Sequence, residues 1–188
     1  MEPVRRILDG RRADTVARLL DAALEEVRAV DYGDLTVRSV AKRAEVSPAT
    51  AYTYFSSKEH LISSVAWRKM QDLTASFADG ASLQKLVRGI TDVFAQEPEL
   101  SRACTTALLA DDPEVARLRD QMSAEVTRAF SGALSELSPT ARASVEMAFV
   151  GGMVMAGQGY LTFDQIADRL AALVKQLRPA TAARTRKR

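Results

Sequence analysis

The side chains with the clearest chemical purpose lie between Thr36 and Leu61, in the run T-V-R-S-V-A-K-R-A-E-V-S-P-A-T-A-Y-T-Y-F-S-S-K-E-H-L. Arg38, Lys42, Arg43 and Lys58 supply positive charge there, and Thr50, Tyr52, Thr53 and Tyr54 supply hydroxyls. Phosphate oxygens accept hydrogen bonds from all of these groups, and a guanidinium fork also matches O6 and N7 of guanine. That is the chemistry of nucleic-acid recognition; the alternative from these residues alone is a small helical hairpin whose charges are merely solvated. Catalysis has little to draw on, because His60 is the only histidine and Cys104 the only cysteine. Histidine-rich metal sites and Cys-His nucleophilic pairs are therefore poorly supported. Gly157-Gln158-Gly159 lacks the preceding strand and following lysine of a phosphate loop, and Asp111, Asp112 and Glu114 suit a helix N-terminus. The expectation is a protein that is not an enzyme and needs no cofactor or metal.

The elements that must position these groups are punctuated in the same run. Thr36 is placed to cap one short helix, and Ser47 followed by Pro48 opens a second, with proline where a missing N–H costs nothing. Ser56 with Glu59 three residues on predicts a capping box that opens a third. Val37, Val40, Ala41, Ala44, Val46, Ala51 and Phe55 fall at helical spacing and can share one core. The pattern is a helix-turn-helix, whose second helix can enter the DNA major groove. One helix precedes it, roughly 11–30, with Val16, Leu19, Leu20, Ala23, Leu24 and Val27 on one face. Asp31-Tyr32-Gly33-Asp34 then turns the chain.

The segment resembles the DNA-binding domain of the TetR family of transcriptional repressors. That family's pattern is a threonine opening helix two, then A-x-x-A-G-V-S-x-G-T-[LI]-Y-x-[YH]-F-x-S-K-E-x-L. It is matched at Thr36, Ala41, Ala44, Val46, Ser47, Thr50, Tyr52, Tyr54, Phe55, Ser57, Lys58, Glu59 and Leu61. The resemblance implies that Thr36, Tyr52, Tyr54 and Lys58 hold phosphates, while Arg38, Pro48, Ala49, Thr50 and Thr53 face base edges. A buried aromatic is the alternative for Tyr52. The sequence departs from the pattern with Glu45 and Ala49 where glycine is usual, and with Ala51 where leucine or isoleucine packs. Glu45 is uncomfortable if its position needs a positive φ, so an adjusted turn is expected. Ala51 removes volume that a larger neighbour must fill.

Composition agrees with a soluble, cytoplasmic chain of 188 residues, 47% hydrophobic, without a segment apolar enough to span a bilayer or act as a signal peptide. The net charge of +2 does not by itself announce nucleic acid, so the placement of charge carries the argument. Bases bunch at Arg5, Arg6, Arg11 and Arg12, forming a basic arm over 1–12 that could lie on phosphate or remain a solvated tail. Five more, without an acid, lie between Arg178 and Arg188. The expected fold is all-α, with a three-helix DNA-binding domain over 1–57, a helical effector-binding and dimerisation domain over 58–178, and a basic tail over 179–188. Helix four should run from Lys58 to about Phe77, with Asp79-Gly80 ending it. Further helices are expected near 82–96, 99–110, 113–136, 139–160 and 163–177, opened in part by Asp112-Pro113, Ser138-Pro139 and a Thr162–Gln165 capping box.

For that body the candidate ligand-binding residues are Trp67, Met70, Phe94, Leu108, Met122, Phe130 and Met147, with Phe77, Cys104 and Phe149 near them. Thr105, Thr106, Ser123, Thr127 and Gln158 could orient the ligand. Such a lining implies a hydrophobic or amphipathic effector. The glycines of the 139–160 helix need a reason, either close helix approach or a helix end. The resemblance supplies a further one, a homodimer seam in which the last two long helices pack against a second copy. A single helix-turn-helix reads too few base pairs, so a dimer on a palindromic double-stranded DNA operator is expected. The implied mechanism is release of a repressor when ligand tilts helix four. The alternatives are a DNA-binding helical dimer without an effector, or an activator.

Overall fold

A computed structural model describes the backbone of residues 2–77 and 81–178 and the side chains of 10–77 and 81–178. Among these residues there are nine α-helices and no strand: α1 (Glu2–Ala29), α2 (Val37–Arg43), α3 (Pro48–Tyr54), α4 (Lys58–Ala75), α5 (Leu83–Ala95), α6 (Pro98–Leu108), α7 (Pro113–Phe130), α8 (Pro139–Gly157) and α9 (Phe163–Leu177). Residues 2–12, expected as a separate basic arm, are the opening turns of α1, which starts at Glu2 and not near Arg11. Only Gly10 in that stretch disfavours helix, and one glycine costs about 1 kcal/mol, too little to end a long helix. The Asp79-Gly80 break and the basic tail over 179–188 lie outside the described residues. No described helix is long and apolar enough to cross a membrane.

The helix starts follow from side chains that satisfy otherwise unpaired amides. Thr36 Oγ1 accepts from the Ser39 amide at 3.0 Å while Ser39 Oγ accepts from the Thr36 amide at 3.2 Å, a reciprocal box opening α2. Ser47 Oγ accepts from the Thr50 amide at 3.1 Å, with Pro48 as the first residue of α3. The expected Ser56–Glu59 box does not form. Ser57 caps α4 instead, accepting from the His60 amide at 3.0 Å. Glu59 is taken by the Tyr32 hydroxyl, which donates to its Oε1 at 3.3 Å, so the frame moves by one residue. The Thr162–Gln165 box opening α9 is present. Helix α7 is shorter than the 113–136 expected, ending at Phe130 before a run of turns.

Two apolar cores result. The first joins α1 to α4, through Leu19, Leu35, Val40, Ala51, Phe55, Leu61 and Val65, to the Leu100, Ala103, Cys104 and Ala107 face of α6. The second gathers α5, the end of α7, α8 and α9 around Val87, Phe130, Val145, Phe149 and Leu170. Phe130 and Phe149 meet edge to face with ring centroids 5.2 Å apart. Phe94 packs against both cores. A boundary between residues 57 and 58 therefore cuts through the first core, because α4 and α6 complete the hydrophobic interior of the three N-terminal helices.

Two departures noted in the sequence resolve differently. Glu45 does adopt a positive φ of 53°, so the turn keeps its left-handed residue without the usual glycine. Ala51 is fully buried with no exposed surface, its place closed by the surrounding core. The α8 glycines have separate reasons. A Cβ on Gly157 would collide with Thr105 of α6, coming within 2.9 Å of that residue's own Cβ. Gly159, at φ 81°, ends the helix: its amide bonds the Ala156 carbonyl at 3.0 Å and the Tyr160 amide bonds Met155 at 2.9 Å. This is a Schellman closure.

Glu45→Gly is expected to stabilise the chain by about 1 kcal/mol, the left-handed penalty offset in part by greater freedom of the unfolded chain. Gly157→Ala is expected to destabilise it by about 1–3 kcal/mol through overpacking. Chemical denaturation midpoints at constant slope would check both; a neutral Gly157→Ala would show that α6 and α8 do not meet so closely.

Candidate nucleic-acid interface and effector cleft

Helices α2 and α3 bury Val37, Val40, Ala41 and Ala51 and turn their other side outward. Thr36, Arg38, Lys42, Pro48, Ala49, Thr50, Tyr52 and Thr53 are all exposed on that side. Tyr52 is 46% exposed, which removes the alternative of a buried aromatic. Thr50 and Ser47 share a hydroxyl hydrogen bond of 2.8 Å, and Thr53 Oγ1 donates to the Ala49 carbonyl at 3.0 Å, so both threonines have fixed rotamers. Tyr54 is half-buried against the first core. Lys58 is half-buried too, donating to the carbonyls of Tyr32 at 2.9 Å and Gly33 at 3.2 Å, with its Nζ 4.6 Å from the Tyr32 ring centroid. It braces the turn between α1 and α2 while remaining at the edge of the exposed face.

Arg43, expected among the outward cations, is committed elsewhere. Its Nε donates to Glu26 Oε2 at 2.6 Å, and Nη1 lies 3.7 Å from Glu25, tying α2 to α1. Burial favours the neutral acid at Glu26, but the hydrogen bonds from Arg43 and Ser39 outweigh it and hold the carboxyl below its ordinary range. Arg43 is exposed but paired, and Arg38 and Lys42 are exposed beside it on α2.

The head is joined to the body by polar contacts as well as by the shared core. Ser57 donates to Asp112 Oδ2 at 2.7 Å, linking the caps of α4 and α7, and Arg68 pairs with Asp21 of α1 at 2.7 Å. Glu97, in the α5–α6 turn, lies between Arg28 of α1 and Lys69 of α4. Nothing in the sequence marked this triad, whose members are far apart in the chain and individually ordinary charges.

The residues expected to form one ligand pocket are dispersed. Phe130 is fully buried core; Met70 packs on the second core, and Leu108 and Met122 on the first. Trp67 is half-buried on α4. Met147 is 72% exposed. Helical spacing identifies apolar faces without saying which faces meet. Of the expected residues, Phe94, Thr106 and Gln158 border a cleft of about 540 Å³ between the α5–α6 turn and the α8–α9 turn. Its apolar side is formed by Phe94, Pro98, Ala156 and Phe163, and its polar rim by Arg102, Thr106, Gln158 and Asp164. Phe94 and Phe163 stack with centroids 6.3 Å apart. Cys104 lies outside it, fully buried, its thiol pushed up to about 12 by burial, so it is not a reactive thiolate.

Met147 belongs to a different feature. With Val150, Gly151 and Met155 it forms an exposed apolar stripe on α8, where Gly151 has open space above it, and the exposed Tyr160 follows the helix end. Large hydrophobic side chains rarely line up on a surface without a partner.

Comparison with known proteins agrees with this geometry. Residues 19–65 match the family of bacterial regulatory proteins, tetR family. An uncharacterised HTH-type transcriptional regulator of Mycobacterium tuberculosis is 41% identical over 171 residues, covering 87% of this chain and 80% of its own. The HTH-type transcriptional repressor KstR of Rhodococcus jostii is 32% identical over 129 residues, covering 65% of this chain and 61% of its own. Thermus thermophilus FadR, a TetR-family repressor solved in complex with lauroyl-CoA, superimposes with a TM-score of 0.67 at 18% identity, over 89% of this chain and 98% of that one. The match across the helix-turn-helix, the likeness along most of the chain and the all-helical body place it among DNA-binding proteins that control transcription: the chain belongs to the TetR family of transcriptional regulators.

Proposed function

We propose that the protein is a homodimeric repressor that occupies a palindromic operator and is released from it by a hydrophobic or amphipathic small molecule. The outward face of α2 and α3 carries this reading. It presents Arg38, Lys42, Pro48, Ala49, Thr50, Tyr52 and Thr53 together, with apolar residues withdrawn behind them. In this reading Arg38 reads guanine, the small Pro48, Ala49 and Thr50 side chains meet base edges with Thr53, and Thr36, Tyr52, Tyr54 and Lys58 hold phosphates. In this reading DNA contact belongs to residues 1–57 and effector binding and dimerisation to 58–178, a division of function between segments that share the first core.

The dimer is supported by the α8 stripe of Met147, Val150 and Met155, which a two-fold axis would set against its own copy. Repression is supported by KstR, named as a repressor, and an acyl-chain effector by FadR, solved with lauroyl-CoA.

Selection of binding sites from random DNA at fixed salt is expected to enrich one palindrome; enrichment of a single half-site, or of nothing, would reject the dimeric reader. On that site Arg38→Ala should lose about 1–3 kcal/mol, mainly at one base position. Lys58→Ala should weaken all sequences alike and lower the salt slope by about one unit. Equal effects of both on every sequence would refute this division of roles. Met147→Glu places like charges across the axis twice over, and light scattering is expected to show a monomer with lost operator affinity.

A further inference from the structure

The α5–α6 turn carries an acid whose bonding is at odds with its position. Glu97 occupies the N-cap of α6 yet makes no side-chain hydrogen bond to that helix. The caps of α2, α3, α4, α5, α7, α8 and α9 all make one. The Glu97 carboxylate turns away instead. Its Oε2 accepts from Arg28 Nε at 3.0 Å and Nη2 at 2.6 Å, and its Oε1 accepts from Lys69 Nζ at 2.9 Å. Arg28 is in the last turn of α1 and Lys69 is on α4, so one side chain ties the DNA head's first helix to the helix that leaves it. The carboxylate is only 16% exposed and Lys69 is largely covered beside it, while Arg28 reaches it from the solvent side, so losing the acid would leave the Lys69 ammonium without its close partner. Burial opposes its ionisation, but the hydrogen bonds from Lys69 and Arg28 prevail and hold the carboxyl below the usual range.

The same turn is a wall of the cleft. Phe94, Ala95 and Pro98 flank Glu97 in the chain and border the opening, with Phe163 opposite and Arg102 at the rim. Phe94 also packs against both cores, so it cannot move without disturbing the junction between them. Close-packed interiors pass such displacements on because they have no slack to absorb them. A molecule wedged against Phe94 and Phe163 therefore shifts the turn from which Glu97 reaches Arg28 and Lys69. The apolar wall suits an apolar body, and Arg102 at its edge, whose exposed pair with Glu99 at 3.5 Å is weak, can exchange that partner for an anionic end held away from Asp164 on the same rim.

We propose that this cleft takes an amphipathic ligand, its apolar body against the stacked Phe94 and Phe163 and its carboxylate or phosphate toward Arg102, and that Glu97 converts occupancy into release of the head. The inference rests on the reading that a small molecule sets operator affinity. Glu97 is a positioning residue: it touches neither DNA nor ligand, and its bonds to Arg28 and Lys69 hold the head in the operator-binding arrangement. A ligand acts only through its different affinity for the clamped and released states.

The test fills the cleft covalently. Thr106→Cys puts a thiol on its rim, while the native Cys104 is buried and unreactive. Full modification with decyl methanethiosulfonate, checked by mass, is expected to weaken binding to the selected operator at least about five-fold. Glu97→Gln keeps shape and removes charge; it should weaken operator binding without the tether, and the tether should then add less than about two-fold, as coupled groups are non-additive. If Glu97→Gln does not fold as a dimer, Arg28→Gln breaks the head side of the same clamp. Unchanged operator affinity after full modification overturns the cleft, and an equal fold-loss in both backgrounds overturns Glu97. Hydrogen exchange in α1 to α3 needs no operator and is expected to rise on tethering only where Glu97 is present. A protein that selects no operator but shows that rise refutes repression and upholds the relay. Dodecyl phosphate is expected to bind by calorimetry and to lose at least about five-fold affinity in Arg102→Gln, a modest value for a charge-assisted bond; no binding, or equal binding, overturns the ligand class.

Discussion

The architecture depends on α6 being shared. Its Leu100, Ala103, Cys104 and Ala107 face is part of the hydrophobic interior of the DNA head, while Thr105, on another side of the helix, receives Gly157 of α8. The small head helices could not bury enough surface alone, since seven-residue α2 and α3 each offer only a few apolar side chains. By borrowing a face from the body the head gains stability, and it also loses independence. Any shift of α6 must be felt by α1 and α4, so rigidity and responsiveness have the same origin.

Charge is arranged around that shared helix in two ways. Exposed cations on α2 point away from the protein, where phosphate can replace water as their partner. Others, Arg28, Arg43 and Lys69, are each matched to a carboxylate on another segment, and there the acid is the more buried partner. An exposed ion pair contributes little because solvent screens it, but a half-buried acid between two cations cannot lose its charge cheaply. Glu26 and Glu97 therefore serve less as stability than as register, fixing α2 on α1 and α1 on α4.

The turn at Glu45 shows how a strained position survives a departure from the common residue. The left-handed conformation costs about 1–2 kcal/mol for a residue with a Cβ. It persists because the Val46 amide bonds the Ala41 carbonyl at 2.9 Å and the Glu45 amide bonds Lys42 at 3.2 Å, closing α2 on either side of the turn. Helix α3 keeps its place at the expense of some stability.

The sequence by itself determined what is local. Thr36, Ser47 and Thr162 cap the helices they were expected to cap, because capping is decided within four residues of chain. The outward set on α2 and α3 was legible for the same reason: helical periodicity divides neighbouring residues into a buried and an exposed face. Ser56 failed by one position because Glu59 found Tyr32, a partner from before the motif. Only the tertiary structure decided which faces meet. It turned Met147 outward, sank Phe130 into the core, paired Arg43 with Glu26, and brought Phe94 beside Phe163 and Glu97 between Arg28 and Lys69. These outcomes depend on contacts between segments remote in the chain, and neither periodicity nor composition carries the distance between two helices.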